Sequence, residues 1–182
     1  MFRPALVCVL IAWGSLLGRD FPARMVAADR RCSLIRPPPR GGFDPSYLVK
    51  HTDVVVRARA DSTIPIPSPR IPGPQTLVRF AVLEVIDSGS LALPRSLAFQ
   101  GALSGTADFN TGQVPYRWVR SDGMRGSCSA YTYQQGGEFL LLLRGKSIDS
   151  LTPYWAALQP TNEQVTGAGD AWVQWVRTTR RK

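Results

Sequence analysis

Two side chains in this sequence have the types that nucleophilic catalysis uses. Cys128 lies in the stretch Gly126-Ser127-Cys128-Ser129-Ala130, and His51 is the single histidine. A thiolate beside an imidazole makes a nucleophile with its base, and Asp53, two residues past the histidine, is of the type that orients such a ring. A thiol hydrolase using Cys128 and His51 is therefore the enzymatic alternative. Other chemistries lack their residues. Neither a G-x-S-x-G elbow nor an S-x-x-K element occurs, and a serine nucleophile would have only His51 as its base. One histidine and a few scattered cysteines cannot close a zinc site, and no H-E-x-x-H or C-x-x-C is present. Asp108-Phe109-Asn110-Thr111-Gly112 resembles the start of a calcium loop but lacks its later acidic ligands, so it reads as a turn. No glycine-rich phosphate cradle occurs. No metal, nucleotide or other cofactor is expected.

What Cys128 does depends on the compartment. Arg3 followed by an apolar run of 15 residues, Pro4 to Gly18 (PALVCVLIAWGSLLG), reads as an export signal over residues 1–28. The run is shorter than the roughly 20 apolar residues that span a bilayer as a helix, and Arg19 and Asp20 stop it. Val26-Ala27-Ala28 offers small residues to a signal peptidase. Cleavage after Ala28 is expected, giving an exported, periplasmic or extracellular protein with no integral membrane segment. Cys8 leaves with the signal, and the mature chain keeps Cys32 and Cys128. In an oxidising compartment these two are expected to form one disulfide. The bond closes a loop between positions 96 residues apart, worth about 4 to 5 kcal/mol in the chain-entropy account.

The charge balance is basic, with 22 Lys and Arg against 13 Asp and Glu; removing the signal with its three arginines and one aspartate lowers the net charge from +9 to +7. Such charge attracts anionic surfaces of every kind, including envelope polymers, lipid head groups and nucleic acid. Arg57 and Arg59, then Arg117, Arg120 and Arg125, then Arg177 to Lys182 either join into one patch or stand as three solvated faces. A joined patch would make the protein a basic adhesin for anionic envelope polymers.

The elements that position these residues are mainly strands. Asp29 to Ser46 holds four prolines and a Gly-Gly pair, and residues 29–52 are expected to form an extended strap. Asp53 to Ala60 (DVVVRARA) alternates as a half-exposed strand. Ile64 to Pro74 (IPIPSPRIPGP) places five prolines in eleven residues and is expected to separate two strands without belonging to either. Leu77 to Ile86 is strand-like but of mixed parity, which predicts a bulge or burial on both faces. Arg95 to Gln100 makes a third strand, and residues 101–127 a long connection with turns near Asn110-Thr111-Gly112 and Asp122-Gly123. Glu138 to Leu143 (EFLLLL) is a fourth strand covered on both faces, and Tyr154 to Leu158 a fifth. After Pro160, Thr161 with Gln164 resembles a capping box, and Val165, Ala168, Trp172, Trp175 and Val176 recur at helical spacing. Gly167 and Gly169 divide that helix, with Asp170 able to cap a second piece, and RTTRRK reads as a solvated basic tail. Trp172 and Trp175 are expected to pack the helix on its sheet; Trp118 and Trp155 are the other mature tryptophans. The fold class predicted is mainly β: a small five-stranded OB-like barrel over 53–160, closed by an amphipathic helix within 161–182, with an antiparallel sandwich as the rival.

The order of these features resembles the netrin-like (NTR) module, the OB-type barrel of tissue inhibitors of metalloproteinases and of exported bacterial proteins. The features are a cysteine soon after a signal, a strand of the DVVVRARA kind, a second ending V-x-E-V-I, and Gly126-Ser127-Cys128 followed by Gly136-Gly137-Glu138-Phe139-Leu140. The resemblance spans Cys32 to Leu158. It implies a non-enzymatic binding or inhibitory module whose strap and strand-connecting loops engage a protein partner; separately, the chain is expected to be a monomer. In the inhibitors the first cysteine is the mature N-terminus and chelates the protease's zinc, whereas here Asp29-Arg30-Arg31 precede Cys32 after the expected cleavage. The inhibitors present a contact loop where this chain has its proline-rich excursion. The implied binding surface is Arg57, Arg59, Ile66, Arg70 and Ile71, with rigid prolines reducing the entropy lost on docking.

Overall fold

The computed structural model describes residues 42–66, 76–154 and 159–181, without the side chains of Ser127 and Cys128. The export signal, Cys32, Arg70, Ile71 and residues 155–158 of the expected fifth strand lie outside the described residues.

The valine-rich alternation forms β1 (Val54–Pro65), which lies between two antiparallel neighbours, β2 (Thr76–Asp87) and β6 (Glu138–Arg144). β3 (Ser96–Gln100) extends the sheet beyond β2, and β7 (Thr152–Pro153) and β8 (Asn162–Val165) both pair with β6. A separate parallel pair joins β4 (Ala102–Ser104), just after β3, to β5 (Thr132–Gln134). The fold is thus mainly β, with an antiparallel sheet and a C-terminal helix; among the described residues the ladders do not close a ring.

β1 and β2 are longer than the alternation predicts. Ile64 and Pro65 belong to β1, opposite Leu77 and Thr76, so the proline-rich excursion does not begin at Ile64. Past Arg59 the strand has left its β6 ladder, and a proline is tolerated at such an edge because no donor is needed there. The mixed parity of β2 comes from bulges: Ile86 and Leu83 are extra residues opposite β1, and Asp61 is the extra residue of β1.

β1 and β6 are covered on both faces, which is why EFLLLL is continuous rather than alternating. On one side Val54, Val56, Ala58 and Ala60 meet Val78, Phe80, Leu97, Phe99, Tyr133, Phe139, Leu141 and Leu143. Phe80, Tyr133 and Phe139 meet edge to face there, with centroids 4.9 Å and 5.0 Å apart about Tyr133. On the other side Val55, Leu140 and Leu142 are covered by helices α1 (Pro45–Lys50) and α4 (Ala171–Arg180) through Leu48, Val49, Trp172, Val173 and Val176.

Four expectations change. Residues 45–50 of the strap are helical because Asp44 caps Ser46 N at 2.9 Å and Pro45 occupies the first turn, where its missing N–H costs nothing. Asp122-Gly123 lies in a short helix, α2 (Ser121–Met124), not in a simple turn; α3 (Ser127–Ala130) follows. Asn162–Val165 is strand β8, not the first piece of a helix, because all four residues are buried against β6. The helical spacing holds only from Ala171, where Asp170 accepts from Trp172 N at 2.8 Å. The basic end is not a solvated tail. Arg177 reaches Glu84, and Arg180 reaches Asp87 and donates from Nη1 to the carbonyls of Val49 and Thr52, both at 2.9 Å. Among the described residues no helix is long and apolar enough to cross a membrane.

Candidate functional site

The structure leaves the catalytic candidates engaged elsewhere or outside its description. His51 follows α1, is exposed, stacks on Tyr47 at 3.8 Å, and its Nδ1 lies 2.8 Å from Tyr47 O. Asp53 does not orient that ring: its carboxylate accepts from Lys146 Nζ and, at 3.0 Å, from Gly145 N. The Lys146 and Gly145 hydrogen bonds hold the Asp53 carboxyl below its usual range. Cys128 lies in α3, and Cys32, its expected disulfide partner, is outside the described residues.

The hairpin of β1 and β2 carries the described part of the expected binding surface. The Arg57 side chain is only 14% exposed, donating from Nε to Glu84 at 3.1 Å and from Nη1 to Glu138. Glu84 also receives Arg177 from α4, so one carboxylate ties sheet to helix. Burial pushes its carboxyl up, but the hydrogen bonds from Arg177 and Arg57 outweigh that and keep it below the usual range. Arg59 is half exposed and bonds Asp61 at 2.7 Å. Beyond them Ser62, Thr63 and Pro65 are exposed and Ile66 is half-buried at the start of the tip. The basic groups do not merge through Arg120 or Arg177, whose guanidiniums are turned inward to Asp108 and Glu84.

The residue that composition hides best is Arg120. Its Nη1 bonds Asp108 at 2.7 Å, Nη2 bonds the carbonyls of Ala130 and Thr132, and Nε bonds Asn162 O. The guanidinium lies over the rings of Tyr133 and Phe139 at 5.6 Å and 5.7 Å. Beside it Glu163, fully buried, accepts from Arg120 N and from Asn110 Nδ2, both at 3.1 Å. Burial lifts the Glu163 carboxyl to about 7, against the pull of those bonds and the Arg120 charge. Asp108 and Asn110, the start of the calcium-like stretch, are thereby committed to protein partners. Among the described residues no three His, Cys, Asp or Glu gather as metal ligands would. Trp172 is buried and Trp175 stacks on it at 5.1 Å, so both pack the helix as expected, while Trp118 is exposed.

Read in sequence, Arg120 is one cation among many in a glycine-rich connection, and nothing local marks it. The signal that could have found it is Asp108, a carboxylate in the same polar stretch with no neighbouring cation. No family model, curated protein or solved structure matches this chain.

Proposed function

We propose that the protein is an exported, non-enzymatic binding module of netrin-like type that engages a protein partner through the outer end of its β1–β2 hairpin. The observation that carries this reading is the hairpin itself. β1 pairs with β6 only as far as Arg59, yet past the Asp61 bulge β1 stays paired with β2 to Pro65 and Thr76, so on the β1 side the hairpin end extends beyond β6, while β3 flanks β2 on the other side. Arg59 and Ile66, with Arg70 and Ile71 of the tip, supply the contacts, and Arg57 braces the sheet behind them through Glu84 and Glu138. The prolines that the sequence places between β1 and β2 would lower the ordering cost of docking. An OB-like barrel is supported by the run of neighbours β6, β1, β2 and β3, and by β4, which follows β3 and meets β5 in parallel. The turn Gln135–Gly137 brings β5 round to β6, and Gly136 N donates to Ala60 O at 2.7 Å. A Cys32–Cys128 disulfide would fasten the N-terminal strap to α3, whose Ala130 carbonyl Arg120 holds at 2.9 Å.

The test replaces residues 67–74 by Asn-Gly, which preserves the Pro65–Thr76 pairing. A partner recovered by crosslinking to the mature protein should lose at least about ten-fold in affinity for this variant, a matter of 1.4 kcal/mol, with an unchanged melting temperature. Unchanged affinity overturns the reading. A thiol titration of the native exported protein that finds reactive Cys128 would favour the hydrolase instead.

A further inference from the structure

Residues 110–118 form a loop closed at its neck by one side chain. Asn110 Nδ2 donates to Trp118 O at 2.7 Å and to Glu163 at 3.1 Å, while Asn110 Oδ1 accepts from Gly112 N at 2.8 Å. Every polar atom of that amide is used inside the protein, and through Glu163 the neck is rooted in the buried interior. Tyr116 rests against Trp172 of α4, with centroids 5.0 Å apart. From the far side Phe43 N donates to Arg117 O at 3.0 Å, and Gly42, at φ +79°, passes so close that a Cβ there would lie 2.6 Å from Arg117 O and 3.0 Å from Trp118 Cε2. The loop backbone and one edge of the indole are therefore set in place before any ligand arrives.

The outer face of this loop is open. A groove of about 330 Å³ is lined by Gln113, Val114, Pro115, Arg117 and Trp118 above the Asn110 neck. The volume is at the small end of the range for small-molecule sites, roughly 300 to 1,000 Å³. Trp118 is 39% exposed although it is one of the largest apolar side chains in the protein. Arg117 and Gln113 are exposed, and among the described residues neither side chain has a hydrogen-bond or ion-pair partner. Arg117 thus differs from Arg57, Arg120, Arg177 and Arg180, which all spend their guanidiniums on internal carboxylates.

We propose that this groove binds an acidic sugar, a pyranose carrying a carboxylate. The three free groups match the three parts of such a ligand. An indole face takes the apolar C–H face of a pyranose. A guanidinium takes a carboxylate through two parallel hydrogen bonds. The Gln113 amide, donor and acceptor together, meets ring hydroxyls. The single guanidinium suits one carboxylate rather than a phosphate chain, and none of the loop's residues opens a helix that would aim backbone N–H groups at phosphate. This surface is separate from the hairpin, and either assignment stands if the other fails.

The test is a titration of the mature full chain with a short oligogalacturonate, read by indole fluorescence and calorimetry. The expected result is saturable binding that weakens at least about ten-fold for the methyl-esterified oligomer and for Trp118→Ala and Arg117→Gln separately. Arg117→Gln should leave the melting temperature unchanged, because the loop is held by main-chain atoms of 117 and 118 that the variant keeps, and Trp118→Ala, which gives up the indole edge packed on Gly42, is titrated at a temperature where circular dichroism shows it folded. Arg79→Gln, at an exposed cation elsewhere, should bind as the parent does. Equal or tighter binding of inorganic tripolyphosphate or adenosine monophosphate overturns the sugar assignment, and so does the absence of binding. A loss in Arg79→Gln equal to that in Arg117→Gln overturns the site, leaving attraction by net charge alone.

Discussion

Arg120 Nη1 donates to Asp108 Oδ2 at 2.7 Å across twelve residues of chain, with the guanidinium enclosed between the Tyr133 and Phe139 rings and three carbonyls. Asp108 Oδ2 also accepts from Asp122 N at 2.9 Å, so the pair fixes the start of α2 as well. Removing one member of a buried pair costs about 3 to 5 kcal/mol, because the other charge is left in a medium that cannot solvate it. Arg120→Leu is expected to lose stability in that range in urea unfolding. Adding Asp108→Asn, which keeps an acceptor for Asp122 N, should recover part of the loss, and strict additivity of the two changes would show that the pair is not coupled.

Glu163 gives a stability that falls as pH rises. Its carboxyl has an ordinary value of 4.5 and is lifted by burial to about 7 in the fold, so between those values the native state holds a proton that the unfolded chain has released. The folded state is therefore not penalised by this group below pH 4.5 and bears the full penalty above 7, on the order of 3 kcal/mol. The groups facing it are Arg120, Asp108 and the Asn110 amide. Glu163→Gln should flatten unfolding free energy against pH across that window. A slope that persists in the variant would place the titration on another group.

Glu84 has the opposite sign. Despite burial, the hydrogen bonds from Arg177 and Arg57 keep its carboxyl below 4.5, so its stabilisation is present above that pH and is lost as acid protonates the folded state. Glu84→Gln should cost about 1 to 3 kcal/mol at pH 7 and much less at pH 3, judged from thermal unfolding at both. Removing residues 177–182 should cost at least as much at pH 7, whereas a solvated tail would be removed without effect.

Gly101 joins β3 to β4 where a Cβ would lie 2.6 Å from Tyr131 O and 2.8 Å from the Tyr133 ring. Neither neighbour can yield cheaply, since Ala102 N donates to Tyr131 O and Tyr133 is packed between Phe80 and Phe139. Gly101→Ala should destabilise by about 1 to 3 kcal/mol, measured by urea midpoint, and near-neutrality would show that the β4–β5 pair is loose.

What the sequence revealed and what it hid divide by range of interaction. EFLLLL was legible as a strand covered twice, because burial on both faces removes polar residues from every position. Asp170 was legible as a cap because capping involves residues two apart. Asn162-Glu163-Gln164-Val165 was not legible as a strand: three polar side chains are buried there only because Tyr133, Asn110, Gln134 and Asp108, at least 29 positions away, offer them partners. The same holds for the site. The hairpin showed in alternation and prolines, and Trp118 and Arg117 were visible as types. Their freedom depends on how Asn110 closes the loop and on where the other arginines are spent, which no local pattern records.

Arg180 donates to the Val49 carbonyl in the last turn of α1 and to the Thr52 carbonyl just past its end, from at least 128 positions further along. A helix of six residues does not persist by itself, and α1 docks through Leu48 and Val49 on a cluster made by the sheet residues Val55, Leu140 and Leu142 and by α4. During synthesis the ribosome makes α1 long before the residue that completes it. The Val49 carbonyl of the first described helix therefore lacks its Arg180 donor until α4 has left the exit tunnel.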